Sequence, residues 1–235
     1  MTEQRGTDAA TLTGQGMIMG ARRLLPLTLV VVPFGFAFGA AGVERGLSAF
    51  EAMLMSALVF AGASQFATLE LWTQPLPLLS IAVTVFAVNA RHLLMGAALS
   101  PWVHPLPWYR SGPALVLMAD VNFADAHRAF REGSRDVGIL LGGGLFLWVI
   151  WVVGTAGGIA LGNQLGNLQR FGLDLVMASF FAALVTGEIR QGTRLLPVVV
   201  AAVTAVLAMQ VLEVGWSIVV AAIGGGLTGA WLRVR

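Results

Sequence analysis

The 235-residue chain is 57% hydrophobic and 11% charged, with a formal net charge of +2 at pH 7 and a mean hydropathy of +0.81. Long uncharged stretches of this composition exclude an ordinary water-soluble domain and indicate an integral membrane protein. The lack of cysteine excludes disulfides, thiolate metal sites and cysteine nucleophiles. The sequence also lacks a cluster of arginines with interleaved aromatic residues, so a nucleic-acid partner is not expected.

Seven apolar segments have roughly the length that a membrane-spanning helix needs. They cover residues 24–42, 52–72, 77–99, 137–161, 173–187, 195–212 and 215–232. An eighth candidate, residues 111–130, is weaker because it carries Asp120, Asn122 and Asp125. We therefore expect an all-α integral membrane protein of about eight transmembrane helices, with seven as the alternative.

The arginines favour eight helices with both termini in the cytoplasm. In that topology ten arginines face the cytoplasm and three face outside; without residues 111–130 the balance becomes four against nine. Reversing the orientation of the seven-helix arrangement in the membrane would place Arg22 and Arg23 on its outer side. We expect a multi-pass inner-membrane protein in which residues 1–20 are a mobile cytoplasmic tail and residues 21–235 form one transmembrane domain.

The first predicted helix contains residues that disfavour a regular helix. Pro33 lacks an amide hydrogen and clashes with the preceding turn, and Gly35 and Gly39 follow it closely. Broken helices occur in membranes where the freed backbone lines a cavity. The sequence predicts a helix break at these three residues, although close helix packing is an alternative use of the glycines.

Polar side chains in three later segments fall at similar depths. They are Ser64 and Gln65, then Asn89, Arg91 and His92, then Asp120. The rise of a helix puts Asn89 about 18 Å from the inner surface and Asp120 about 12 Å from the outer one. Since ionisable residues at such depths are costly and usually functional, we predict a midplane binding site with an available Arg91–Asp120 ion pair. Purely structural roles for Arg91 and His92 stay open.

A weak internal similarity suggests two structural repeats. The stretches "SALVFAGASQF" and "ASFFAALVTGE" are each followed by a proline, 17 residues after Phe60 and 16 residues after Phe181. Four helices per repeat would give parallel repeats, and three would give inverted ones. The sequence leaves this choice open.

Four segments resemble a known family of transporters. In order and spacing, "PFGFAFGAAG", "FAGASQF", "NARHLLMG" and "MADVNFADAHR" are similar to the large subunit of branched-chain amino acid exporters, the AzlC-type permease family. The resemblance covers residues 24–232. It implies export of branched-chain or related hydrophobic amino acids driven by the proton gradient, and a small AzlD-type membrane subunit as partner. No cofactor or metal is expected.

The resemblance and the polar pattern together give candidate site residues. The predicted substrate-binding residues are Gly62, Ser64, Gln65, Asn89, Arg91, Asn122 and Phe123, and the predicted proton-coupling residues are His92 and Asp120. Arg91 would hold the substrate carboxylate by two parallel hydrogen bonds, and Asp120, Asn89 or Gln65 would receive the ammonium group. Val121 stands where family members commonly carry an acid.

Two other classes of protein remain as alternatives. An intramembrane enzyme would need a nucleophile and a base, for which Ser64 and His92 are the obvious pair, but no hydrolase motif accompanies them. A channel, an assembly subunit, or an exporter of another small amphiphilic substrate is the stronger alternative. We expect a secondary transporter and not an enzyme.

Overall fold

The computed structural model describes residues 10–165, 195–212 and 214–234, together with residue 186. Within these residues the chain is helical, and a single isolated β-bridge joins Thr11 to Asp136. The helices are α1 Gly14–Leu24, α2 Thr28–Glu44, α3 Ala49–Val59, α4 Gly62–Glu70, α5 Leu78–Asn89, α6 Arg91–Val103, α7 Trp108–Val116, α8 Asp120–Arg131, α9 Gly138–Leu165, α10 Leu195–Ala208 and α11 Val214–Val234. A 3₁₀ turn, Leu25–Leu27, links α1 to α2. The predicted all-α class is confirmed for this part of the chain.

Three helical stretches in the described ranges are long and apolar enough to cross a membrane. They are Gly14–Glu44, Leu78–Val103 and Gly138–Leu161. Shorter apolar helices cover Ala49–Val59, Leu195–Ala208 and Trp216–Leu232. The predicted helix at 173–187 and the second copy of the suggested repeat lie outside the described residues, apart from residue 186. The number of membrane crossings therefore stays a prediction.

Helix α9 is the element around which α1, α2, α3, α7 and α8 pack. Its contact with α2 depends on glycine on both sides. A Cβ atom on Gly39 would lie 2.2 Å from the carbonyl oxygen of Thr155, and one on Gly158 would lie 2.0 Å from that of Phe36. Side chains at these positions would collide with backbone, so the backbones of the two helices can approach this closely only where glycine is present.

The helix break predicted at Pro33, Gly35 and Gly39 is wrong, because α2 continues through all three residues. Pro33 lies in the second turn, where its missing amide hydrogen removes one helical hydrogen bond, to the carbonyl of Leu29. Gly35 and Gly39 face α9, and a Cβ atom on Gly35 would lie 2.7 Å from the carbonyl oxygen of Trp151. Gly35 and Gly39 therefore allow α2 to pack closely against α9.

An aromatic cluster of Phe34, Phe38, Phe66 and Trp151 joins α4 to α2 and α9. The rings of Phe34 and Phe66 stack with centroids 5.0 Å apart, and those of Phe38 and Trp151 with centroids 6.0 Å apart. All four side chains are buried. Large aromatic surfaces contribute much packing energy, so this cluster fixes the position of the short helix α4.

The described part of the N-terminal segment is packed against α9 through α1. The division into a cytoplasmic tail, residues 1–20, and a transmembrane domain stays a prediction. The backbone N–H of Thr13 donates to Asp136 Oδ1 at 3.0 Å, and its hydroxyl donates to the other carboxylate oxygen. The N–H of Gly138 also donates to Asp136 Oδ1, at 2.9 Å. This group of three residues, the Asp136 clasp, caps the first turns of α1 and α9 together. Residues 1–9 lie outside the described ranges.

Replacing Gly39 by alanine should destabilise the protein. The added methyl group meets the Thr155 carbonyl, and overpacking of this kind costs roughly 1–3 kcal/mol. The unfolding midpoint in detergent, followed by tryptophan fluorescence, should fall by roughly 2–10 °C. Gly96→Ala in α6 is the control, because a Cβ atom there meets nothing within 4 Å. Equal midpoints for the two variants would contradict close contact between α2 and α9.

Candidate functional site

The second predicted membrane segment is interrupted between α3 and α4. Phe60 has φ 41° and ψ 42°, a left-handed conformation that is uncommon for a bulky residue and often marks a functional position. The side chain of Gln65 is fully buried, and its Nε2 donates to the carbonyl of Met55 at 2.9 Å. Gln65 thus bridges the interruption from α4 back to α3.

A second, milder interruption separates α5 from α6 at Ala90, whose backbone keeps right-handed helical dihedral angles. The amide of Leu93 donates to the Ala90 carbonyl at 3.1 Å, the three-residue step of a tightened turn. His92 Nδ1 lies 3.1 Å from the carbonyl oxygen of Asn89. Because a carbonyl can only accept, this hydrogen bond places the proton on Nδ1. The imidazole is therefore held by the backbone of the break.

The weakest predicted segment, residues 111–130, is broken between α7 and α8. Asn122, 1% exposed, accepts a hydrogen bond from the N–H of Ala119 at 2.6 Å through Oδ1. Its Nδ2 donates to the carbonyls of Leu117 at 3.0 Å and Leu140 at 3.1 Å. One amide side chain thus closes this break and ties α8 to α9.

The starts of α4, α6 and α8 meet at a cavity of about 100 Å³. Its lining consists of Val30, Val31, Phe34, Phe60, Ala61, Gly62, Ala63, Arg91, His92, Ala119, Asp120, Val121, Leu147 and Trp151. Arg91 Nη2 lies 3.0 Å from Asp120 Oδ2, and the two side chains are 35% and 34% exposed. The ion pair predicted from their matching depths is confirmed.

The cavity combines opposite charges with apolar walls. Phe34, Phe60 and Trp151 supply aromatic surface beside the ion pair. The Nε atom of Arg91 is buried and has no hydrogen-bond partner in the described part of the chain. Since a guanidinium has five N–H donors in a planar fork, Arg91 retains donors for a further acceptor while it is paired with Asp120.

The structure divides the predicted site residues into three groups. Gly62, Arg91, His92 and Asp120 line the cavity. Ser64 and Asn89 are outside the lining but bind each other, with Asn89 Nδ2 donating to Ser64 Oγ at 3.2 Å. The third group, Gln65, Asn122 and Phe123, is not part of the lining: the two amides close helix breaks, and the Phe123 ring stacks on His127 with centroids 5.5 Å apart.

The sequence did not predict that α2 and α9 form part of the cavity wall. Leu147 and Trp151 of α9, together with Val30 and Phe34 of α2, face the cavity. A Cβ atom on Gly62 would lie 2.9 Å from the Trp151 ring, so the glycine leaves room for the indole. Apolar residues in apolar helices carry no signal that separates a cavity wall from a lipid-facing or core position.

The geometry does not support Ser64 and His92 as a nucleophile and base. The Ser64 hydroxyl donates to the carbonyl of Ala61 at 2.9 Å and accepts from Asn89. The Nδ1 atom of His92 is directed to the Asn89 carbonyl. A serine nucleophile would instead donate its hydrogen to the base.

The sequence model of the family described as "AzlC protein" matches residues 26–165. The chain belongs to the AzlC family. The matched segment contains all the residues that line the cavity. This finding confirms the resemblance seen in the four sequence segments.

Several membrane proteins are relatives of this chain. It is 30% identical over 155 residues to the inner membrane protein YgaZ of Escherichia coli strain K12, covering 65% of this chain and 62% of YgaZ. It is 34% identical over 143 residues to an uncharacterized membrane protein of Archaeoglobus fulgidus, covering 60% of each. The alignments thus span less than two thirds of the length of these relatives. No solved structure matches.

Family membership and the membrane-protein relatives indicate a role in membrane transport. The relative from Escherichia coli is named as an inner membrane protein, in keeping with the apolar helices of this chain.

Replacing Asn122 by alanine should destabilise the junction of α7 and α8. The change leaves the Ala119 N–H and two carbonyls without their partner, at a cost of roughly 1–3 kcal/mol. The unfolding midpoint should fall by roughly 2–10 °C. Gln15→Ala, which removes an amide from an exposed position in α1, is the control. If both variants unfold like the unmodified protein, Asn122 does not hold the break.

Proposed function

We propose that the chain is the large subunit of a two-component, proton-coupled exporter of branched-chain or related hydrophobic amino acids. The observation that carries this proposal is the Arg91–Asp120 ion pair beside apolar walls, in a family with a transport role. Broken helices that meet at an internal cavity are a recurrent way to build a transporter site.

The chemistry of the cavity fits an amino acid with an apolar side chain. Arg91 binds the substrate carboxylate, and Asp120 binds the ammonium group. Phe34, Phe60 and Trp151 form the wall against which the aliphatic side chain packs. Arg91 and Asp120 are the charged residues in the described lining, so each end of the amino acid has one partner of opposite charge.

Asp120 and His92 are the residues to which we assign proton coupling. A proton on Asp120 removes the charge that binds the substrate ammonium group, so that protonation of Asp120 and binding of a zwitterion exclude each other, as proton-coupled exchange requires. His92 lines the same cavity and is held at Nδ1 by the backbone, which leaves its second ring nitrogen available for proton exchange.

The remaining parts of the proposal concern the assembly and its place in the cell. We assign the partner as a small AzlD-type membrane subunit, on the resemblance alone. We assign the protein to the inner membrane with both termini in the cytoplasm. The inner-membrane relative from Escherichia coli supports the location, and the distribution of the arginines supports the orientation.

Efflux from proteoliposomes tests this proposal. Liposomes that contain the chain with the small subunit are loaded with labelled leucine, valine or methionine and placed under an inward proton gradient. We expect gradient-driven efflux, and we expect Asp120→Asn to reduce it by roughly tenfold or more because Arg91 loses its partner. Asp125→Asn is the matched control, since Asp125 lies on the same helix, outside the cavity, and pairs with Arg23.

Each other outcome rejects a stated part of the proposal. Gradient-driven efflux that survives Asp120→Asn would reject the coupling role of Asp120. No efflux of any of the three amino acids, with the small subunit present, would reject the substrate class. Flux without trans-stimulated exchange would indicate a channel.

A further inference from the structure

We infer that Arg91 and Asp120 select substrates by charge balance: the site accepts zwitterions and rejects otherwise similar molecules that carry a single charge. This inference rests on the proposed function and makes these two residues the specificity determinants of the cavity. It predicts how substitution of either residue changes the class of substrate that binds.

The first step of the argument is that the two charges neutralise each other when the site is empty. Arg91 Nη2 and Asp120 Oδ2 are 3.0 Å apart. Among the described lining residues the remaining side chains are apolar except for His92 and the indole N–H of Trp151. Because about two thirds of each side chain is buried, a charge left without a partner against such walls is disfavoured.

The second step is that a zwitterion can open the pair without leaving a charge unmatched. The carboxylate and ammonium groups of an α-amino acid are attached to one carbon atom. The distance between them is therefore close to the distance between the charged groups of two side chains in contact. A substrate inserted between Arg91 and Asp120 thus replaces one ion pair with two. The unpartnered Nε of Arg91 adds the second parallel hydrogen bond that a carboxylate can accept.

The third step is that a singly charged analogue cannot do the same. The 2-oxo acid of leucine, 4-methyl-2-oxopentanoate, can pair with Arg91, but it then leaves Asp120 unpaired beside another anion. Isopentylamine can pair with Asp120, but it leaves Arg91 unpaired. Both analogues keep the branched carbon skeleton, so the apolar walls do not distinguish them from leucine.

Substitutions that remove the charge of Asp120 or of Arg91 should therefore change which ligand the site prefers. In Asp120→Asn the single charge left is Arg91, which suits the 2-oxo acid. In Arg91→Gln the single charge left is Asp120, which suits the amine. A residue needed only for folding would weaken the binding of all three ligands alike.

Equilibrium binding of labelled leucine, 4-methyl-2-oxopentanoate and isopentylamine to the full chain, co-purified with its small subunit, tests the inference. All variants are measured at one pH. The unmodified protein should favour leucine over each analogue by about tenfold or more, the factor that about 1.4 kcal/mol represents. Asp120→Asn should favour the 2-oxo acid over leucine, and Arg91→Gln should favour the amine.

Controls separate selectivity from folding. Asp120→Glu and Arg91→Lys keep the charges and should keep the preference for leucine, and the unfolding midpoint is measured for each variant. Uniform weakening of all three ligands in Asp120→Asn, or an unchanged order of preference, would overturn the inference while the proposed function stands. Absence of leucine, valine and methionine binding to the unmodified complex would instead overturn the proposed function.

Discussion

A backbone group that is freed where a helix breaks must find its partner inside the protein, because hydrocarbon offers none. The described part of this chain meets that constraint at three breaks with three side chains. Gln65 donates to the Met55 carbonyl, His92 to that of Asn89, and Asn122 serves both sides of the last break. Because side chains of the protein satisfy the freed backbone groups at each break, the helices α4, α6 and α8 can start beside one another. Their first residues form part of the cavity wall.

The broken helices depend on a frame that is not broken. Helices α2 and α9 meet through glycine on both faces, so their backbones are in direct contact. Phe66 of the short helix α4 stacks on Phe34 and thereby attaches the first broken segment to this frame. The charged residues belong to the broken segments, whereas most of the aromatic surface of the cavity belongs to the frame. Polar recognition and apolar recognition are thus supplied by different parts of the molecule.

The sequence was sufficient for some of these features and insufficient for others. The Arg91–Asp120 pair could be predicted because helical rise fixes depth, and two opposite charges at one depth in an apolar setting need each other. The break assigned to Pro33 was wrong because proline affects one local hydrogen bond, whereas the observed breaks depend on tertiary bonds made by Gln65 and Asn122. Trp151 was missed because an indole in an apolar helix has the same local pattern whether it faces a cavity, the core or lipid.

The Asp136 clasp has a consequence for the order in which the protein is assembled. Thr13 and Asp136 are 123 residues apart, so α1 leaves the ribosome long before the helix against which it packs. During that interval the glycine faces of α1 and α2 have no α9 to contact. The packing of α1 and α2 on α9 can therefore form only late, when synthesis reaches α9. Closure of this long loop is a long-range step, and it makes the N-terminal segment one of the last parts of the frame to reach its final position.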